Sequence, residues 1–350
     1  MREWLEREWQ RRGGGALVLL PLALVFSLAV RLRRFLYRRH WLPVWRAPIP
    51  VIVVGNVTVG GTGKTPLVIA IVELLRAHGW RPGVIARGYG RVPPREQDAL
   101  GVVRVAPEGA TPEHFGDEPV LIARRSRVAV YVSPNRPAAA RALIADEPEV
   151  NVLVCDDGLQ HYALARDIEI VVVDGERWFG NGLPLPAGPL REPVLRLAEA
   201  DAVVVNGEGA SDLPGARRFT MTLGHERFVH LASGEQRSPE ELAVALRGRR
   251  VTAVAGIGNP RRFFEHLAAL GIEASEHPFP DHHAYVPRDL KLPGAEAILM
   301  TEKDAVKCSG FADARMWMMR VEAILPPEFD TFLLGRLSAA GRSADGPEAA

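Results

Sequence analysis

Lys64 and Thr65 close the run Gly60-Gly61-Thr62-Gly63, and a phosphate group needs residue types in that order. Glycines let successive backbone N–H groups curl around an anion, and a following helix N-terminus adds partial positive charge. A lysine then reaches the outer phosphates, and a hydroxyl can ligate magnesium. The flanks suit this chemistry. Val51 to Val54 is an unbroken apolar run, the pattern of a parallel strand buried on both faces. Pro66 to Leu75 is an apolar stretch that Gly79 closes as a helix. The strict pattern G-x-x-x-x-G-K-[ST] asks for glycine where this chain has Thr58. Gly60, Gly61, Thr62, Gly63, Lys64 and Thr65 are therefore expected to hold nucleotide phosphates, with Thr65 also on magnesium.

Other reactive residues lie at the ends of short elements. Asn151 to Cys155 reads as a buried strand that ends in Asp156-Asp157-Gly158. A carboxylate at such a tip can sit beside the magnesium of a phosphate loop, although Asp-Asp-Gly is also ordinary turn chemistry. Gln160 and His161 follow at once. The loop Gly180 to Pro193 is rich in glycine and proline and carries Arg191, a candidate phosphate clamp. Gly116-Asp117-Glu118-Pro119 is helix-start chemistry. Gly256-Ile257-Gly258-Asn259-Pro260 follows a strand like a dinucleotide fingerprint, but lacks the third glycine.

The elements that must position these residues alternate along the chain. Strands are expected at Gly83–Ala86, Arg127–Val132, Ile168–Val173, Ala202–Val205, Val251–Ala255, Ala297–Met300 and Met316–Val321. Helices lie between them, the last over Pro326–Leu337. This makes an α/β protein with a largely parallel sheet. The pattern resets near Gly224, so a core over 46–223 and a smaller α/β unit over 224–338 are expected, with a frayed tail from Ala339 to Ala350. At 350 residues the chain has room for both. A formal net charge of +1 gives no global field for nucleic acid. Cys155 and Cys308 are the chain's two cysteines, so no disulfide framework is expected and a reducing compartment is.

The first 45 residues differ from the rest. Ala16 to Val30 carries no charge; Arg11 and Arg12 precede it, and Arg31, Arg33, Arg34, Arg38 and Arg39 follow it. Trp4, Trp9, Trp41 and Trp45 lie outside it. At about 1.5 Å per residue the run falls short of a ~30 Å bilayer core, and Pro21 interrupts it. This favours an in-plane or partly inserted anchor, with arginines on anionic lipid and tryptophans at the interface. A buried core helix and a single span are the other readings.

Taken together the motifs resemble the tetraacyldisaccharide 4'-kinase family of lipid A biosynthesis. The residues that carry the resemblance are GNVTVGGTGKTP (55–66), ARGYGR (86–91), GDEP (116–119), DDGLQH (156–161), PLPAGPLREP (184–193), AGIGNP (255–260), FPDHH (279–283) and TEKDAVK (301–307). The family's own loop shares the Thr58 departure. The resemblance implies transfer of the γ-phosphate of ATP to the 4'-hydroxyl of a tetraacyl glucosamine disaccharide 1-phosphate, making lipid IVA, on the cytoplasmic face of the inner membrane. It implies a phosphate-loop NTPase core and a smaller C-terminal α/β domain joined by a two-stranded linker, with an N-terminal membrane-associated helix. It also implies roles: Asp117 as catalytic base, His282 as its partner with His283 as the alternative, Asp156 and Asp157 on the magnesium side, and Arg191 in the active site. The chemistry of the residues agrees, because a sugar hydroxyl must lose its proton as the new bond forms, and a carboxylate oriented by a histidine can take it. Two rival classes are disfavoured. Partitioning-type ATPases carry a lysine before the paired glycines, where this chain has Val59, and Thr301-Glu302-Lys303-Asp304 has the wrong spacing for a guanine motif.

Overall fold

A computed structural model describes residues 8–9, 13–91, 101–106, 109–209, 213 and 215–344. Trp4, Arg11, Arg12, the loop residues 92–100 and 107–108, and tail residues 345–350 lie outside the described residues.

The apolar runs fold as strands β1 (Val51–Gly55), β2 (Pro82–Ala86), β3 (Val103–Val105), β4 (Val130–Val132), β5 (Val152–Asp156), β6 (Ile168–Asp174) and β7 (Ala202–Asn206). There follow β8 (Arg217–His230), β9 (Gln236–Arg237), β10 (Val251–Ala255), β11 (Ser275–Pro278), β12 (Ala297–Thr301) and β13 (Met316–Ile324). The sheet order is β11-β10-β12-β13-β8-β7-β6-β1-β5-β2-β4-β3, with β9 on β8. Every pairing from β7 through β6, β1, β5 and β2 to β4 is parallel; β3 adds to the edge antiparallel. β1 is buried along its whole length, as a strand covered on both faces must be.

β8 makes one continuous sheet out of two. Arg217–Met221 pairs parallel with β7, and Thr222–His230 pairs antiparallel with β13, with an irregularity between Arg320 and Glu322. Residue 224, where the sequence pattern resets, is mid-strand. β8 is not evident in the sequence because its exposed and buried positions alternate weakly and its partner changes halfway.

The described residues form nine α-helices: α1 (Gly14–Arg38), α2 (Lys64–Ala77), α3 (Pro112–Phe115), α4 (Asp117–Ser126), α5 (Arg136–Asp146), α6 (Pro239–Leu246), α7 (Pro260–Ala269), α8 (Glu302–Cys308) and α9 (Pro327–Ala344). Asn135 caps α5 by accepting from the Ala138 N–H at 3.1 Å, and Thr301 caps α8 by accepting from the Asp304 N–H at 3.2 Å. α9 runs through Ala344, beyond its expected end at Leu337. Its Phe329, Phe332, Leu333 and Leu337 pack with Ile52, Leu67, Ile71, Leu75 and Phe219 of the first half. The second half has its own cluster, including Phe228, Leu242, Phe263, Leu267, Leu299 and Trp317.

α1 is a 25-residue helix with Pro21 inside it, not a run cut by Pro21. At 1.5 Å per residue it spans ~37 Å; one missing backbone bond does not end a helix of this length. It is long and apolar enough to cross a membrane. Leu17, Val18, Leu24, Val25 and Leu28 are exposed, while Ala16 and Ala23 are buried. Its C-terminal turns are held by Glu199, which accepts from Arg34 and Arg38. Two of the tryptophans expected at a lipid interface are engaged by the protein instead. The Trp9 indole N–H donates to the Pro186 carbonyl at 3.0 Å, and Arg141 lies over the Trp45 ring at 4.8 Å. Trp41 remains 71% exposed.

Candidate active site

β1 delivers the chain to the loop 56–63, and Gly63 caps α2 in the left-handed region at φ +91°. Only glycine fits there, since a Cβ would lie 2.3 Å from Asn206 Nδ2. That amide donates to the Thr62 carbonyl at 3.1 Å and ties the loop to the end of β7. Lys64 Nζ lies 3.2 Å from Asn56 Oδ1 and 3.5 Å from Asp157 Oδ1. Thr65 follows as the second residue of α2. Thr58, the departure from the strict pattern, is buried, and its carbonyl accepts from Arg191 Nε at 3.1 Å. Buried Thr62 Oγ1 has no hydrogen-bond partner among the described residues.

The two adjacent acids at the tip of β5 are not equivalent. Asp156 pairs in register with Val54 of β1 and is 3% exposed. Burial, then Glu118 and Asp157, push its carboxyl up to about 7. Its Oδ1 has no hydrogen-bond partner among the described residues. Asp157 turns away at φ +48°. Burial would raise its carboxyl, but Lys64 and Arg191 hold it well below the usual carboxylate range. Arg191 grips it with two hydrogen bonds of 3.1 Å and also donates to Asn56 Oδ1. Arg191 is thus anchored within the loop system and shares Asp157 with Lys64.

Among the described residues no group of three or more His, Cys, Asp or Glu could hold a metal. A magnesium that arrives on a nucleotide needs no such cage, because it takes one or two carboxylates, phosphate oxygens and water. The orphaned Asp156 Oδ1 suits that role better than Asp157, whose oxygens Arg191 already occupies.

The third constellation joins the two halves. His282 Nδ1 lies 3.0 Å from Asp117 Oδ2, across 165 residues of sequence. Asp117 opens α4, and His282 sits in the loop after β11 at φ +61°. Its backbone N–H donates to the Gly256 carbonyl at 3.2 Å. Asp117 is 6% exposed; burial alone would raise its carboxyl, but the His282 hydrogen bond and then Lys303 bring it down to about 2. Tyr89 of the Arg87–Arg91 loop lies against His282, ring centroids 5.1 Å apart. His283 faces elsewhere: it stacks on Phe279 at 4.5 Å and its Nε2 meets Asp289 Oδ2 at 2.9 Å.

Two cavities flank the phosphate loop. One, of 330 Å³, lies between α2 and the second half and is lined by Ile69, Leu121, Phe263, Met319 and Val321 beside Lys64 and Thr65. The other, of 860 Å³, carries Asp156, Asp157, Arg87, Arg191 and His282 and is also lined by Trp9 and Trp178. Gly61, Lys64, Glu118 and Lys303 line both, so the phosphate-loop lysine stands in the partition while the acidic pair, Arg191 and His282 face the larger cavity alone.

Over residues 15–338 the chain matches the family model described as tetraacyldisaccharide-1-P 4'-kinase (LpxK). The chain belongs to that family. It is 49% identical to the tetraacyldisaccharide 4'-kinase of Dechloromonas aromatica, with 96% of this chain and 98% of that protein aligned. It is 46% identical to the enzyme of the same name from Methylobacillus flagellatus, over 96% of each chain. The crystal structure of LpxK from Aquifex aeolicus, called an apo form and in complex with ATP, superimposes with a TM-score of 0.76 at 29% identity. That match spans 92% of this chain and 99% of the other.

In this member of the 4'-kinase family several site residues carry no local signal that singles them out. Asn56 and Asn206 fasten the loop, and Arg177 donates to the Gly61 carbonyl, to the Gly258 carbonyl at 3.2 Å and to Asp174 at 2.9 Å. Lys303 Nζ lies 3.0 Å from Glu118 Oε1, 3.6 Å from Asp117 Oδ2 and 3.9 Å from Asp281 Oδ1. Lys303 falls within Thr301–Lys307, one of the segments that carry the family resemblance, but nothing in the spacing of that segment assigns it these partners.

Proposed function

We propose that this protein is an ATP-dependent lipid-sugar kinase. It transfers the γ-phosphate of ATP to the 4'-hydroxyl of tetraacyldisaccharide 1-phosphate and so forms lipid IVA in lipid A biosynthesis. One observation carries the reading of the site: a carboxylate–imidazole pair, buried Asp117 with His282, whose imidazole lines the larger cavity together with Gly60, Gly61 and Lys64 of an intact phosphate loop, where an acceptor hydroxyl and a γ-phosphate would meet.

The backbone of Gly60–Gly63 and the Lys64 ammonium cradle the β- and γ-phosphates. Asp156 and the Thr65 hydroxyl would hold a magnesium ion, which when bound neutralises charge on the phosphate oxygens. Arg191 and Lys64 fix Asp157 at the edge of that site. The Asp117 carboxylate takes the 4'-hydroxyl proton as the oxygen attacks, while His282 orients it through Nδ1–H and Oδ2. The larger cavity is the acceptor side and the smaller the nucleotide side. The 46–223 core binds the phosphates, and the 224–338 unit brings His282 to it. α1 docks the protein on the cytoplasmic face of the inner membrane. Its exposed leucines and valines enter the lipid, and Arg31, Arg33 and Arg39 meet anionic headgroups.

The test is purified protein with ATP, magnesium and tetraacyldisaccharide 1-phosphate, read by mass spectrometry for a lipid gaining one phosphate. ATP hydrolysis that ignores the lipid acceptor would overturn the reading in favour of a membrane-recruited ATPase. Removing residues 1–40 should release the protein from membranes and impair use of the lipid more than ATP binding. A truncated protein that still sediments with vesicles would place the docking surface elsewhere.

A further inference from the structure

Lys303 is the second residue of α8, in the second half, yet two of the carboxylates around it belong to α4 of the first half. Its ammonium lies 3.0 Å from Glu118 Oε1 and 3.6 Å from Asp117 Oδ2, with Asp281 Oδ1 of the His282 loop at 3.9 Å. The neighbouring Asp304 is fully buried. It accepts from the Gly256 N–H at 3.1 Å, and the Gly256 carbonyl accepts from the His282 N–H at 3.2 Å. The start of α8 therefore fixes the imidazole through Asp304 and the carboxylate through Lys303. A second contact of the same kind lies behind it: Arg125 of α4 donates to Glu302 Oε2 at 2.7 Å.

We propose that Lys303 is a positioning residue for phosphoryl transfer: held by Glu118, it spans the two halves and seats Asp117 against His282, so that the proton-accepting pair is assembled only when the halves are closed. This deepens the kinase reading and rests on it. The three carboxylates outweigh burial and hold Lys303 protonated, above the usual lysine range. The charged and titratable groups acting on Asp117 are His282 from the loop after β11 and Lys303 and Lys307 from α8; its Oδ1 also accepts from the Glu118 N–H at 3.0 Å, and Asp281 lies behind, against His282 and Lys303. A bare neutral side chain in place of Lys303 leaves an opposite charge missing from within about 4 Å of Asp117, which raises a carboxyl by one or more pH units.

The experiment compares wild type, Lys303→Met and Lys303→Arg. It measures kcat and KM for ATP and for tetraacyldisaccharide 1-phosphate, equilibrium binding of a fluorescent ATP analogue, and the pH profile of kcat. Lys303→Met should lower kcat about 10- to 100-fold, a larger factor than any weakening of nucleotide binding. The acidic limb of its kcat profile should move to higher pH by about one unit, because a base with a raised pKa is protonated at higher pH. Lys303→Arg, which keeps the charge, should restore most of kcat and return the limb. Loss of stability with an unmoved limb in both variants would overturn the proposal, as would a Met variant with wild-type kcat. A wild-type protein that transfers no phosphate to the lipid would instead overturn the kinase reading.

Discussion

The phosphate loop and the Asp117–His282 pair lie within one site but are built in opposite ways. The loop is local: Asn56, Gly63, Lys64 and Thr65 come from one continuous stretch, and the groups that pin it, Asp157, Arg191 and Asn206, end strands or loops of the same half. The pair is non-local: its two members are 165 residues apart, on different halves. The loop's own phosphate-binding groups are assembled within one half, and the second half adds one wall of the cavity beside them, with Phe263, Met319 and Val321. A pair divided in this way forms only where the halves meet, and in the proposed mechanism that would keep water from the γ-phosphate until the acceptor is in place. The difference between the regions separates binding from turnover.

The largest effect should come from the loop. Lys64→Ala should cost on the order of 10³-fold in kcat/KM, the upper range for one preorganised cationic donor, and should weaken ATP binding as well. An alanine variant with near-normal turnover would remove the loop from the mechanism. Next, Asp117→Ala and His282→Ala should each lower kcat on the order of 10²-fold and leave ATP affinity almost unchanged. Because the two act as a unit, the double variant should be little worse than the worse single. Multiplicative losses, or ATP binding that falls in step with turnover, would break the distinction between the regions.

Smaller effects sharpen it. Asp156→Asn should raise the magnesium concentration for half-maximal rate by about 10-fold, whereas Asp157→Asn should act mainly by loosening Arg191 and Lys64. Equal magnesium shifts in both variants would show the two acids sharing the metal. His283→Ala should change kcat by less than about fivefold, the scale of a partly exposed ion pair. A crippled His283 variant beside a silent His282 variant would transfer the role one residue along the chain.

The same contrast explains what the sequence made legible. Glycines, a lysine and a hydroxyl between a strand and a helix need no tertiary knowledge, and neither does an acid at the end of an apolar run. Alternating apolar segments likewise announced most of the parallel strands. Asp117 alone read as helix-start chemistry and His282 as one of two adjacent histidines; only resemblance paired them, and geometry distinguishes His282, on Asp117, from His283, on Asp289. Lys303 and Arg177 act through contacts that no local spacing encodes. β8 escaped because one strand serves two partners of opposite direction. The inequality of Asp156 and Asp157 was hidden for a related reason, since it depends on how Arg191 returns from another loop.

α9 returns to the first half, and this bears on how the protein is made. Domains are usually completed in order of synthesis, N-terminal first. Here the first-half core is missing Phe329, Phe332, Leu333 and Leu337 until the whole second half has been translated. A nascent chain that already displays α1, the phosphate loop and the acidic strand tip still exposes apolar surface around Phe219 and Leu75. The apolar helix α1 is thus synthesised well before the first-half core can be sealed, and α9, which follows the whole second half in sequence, closes the half that was translated first.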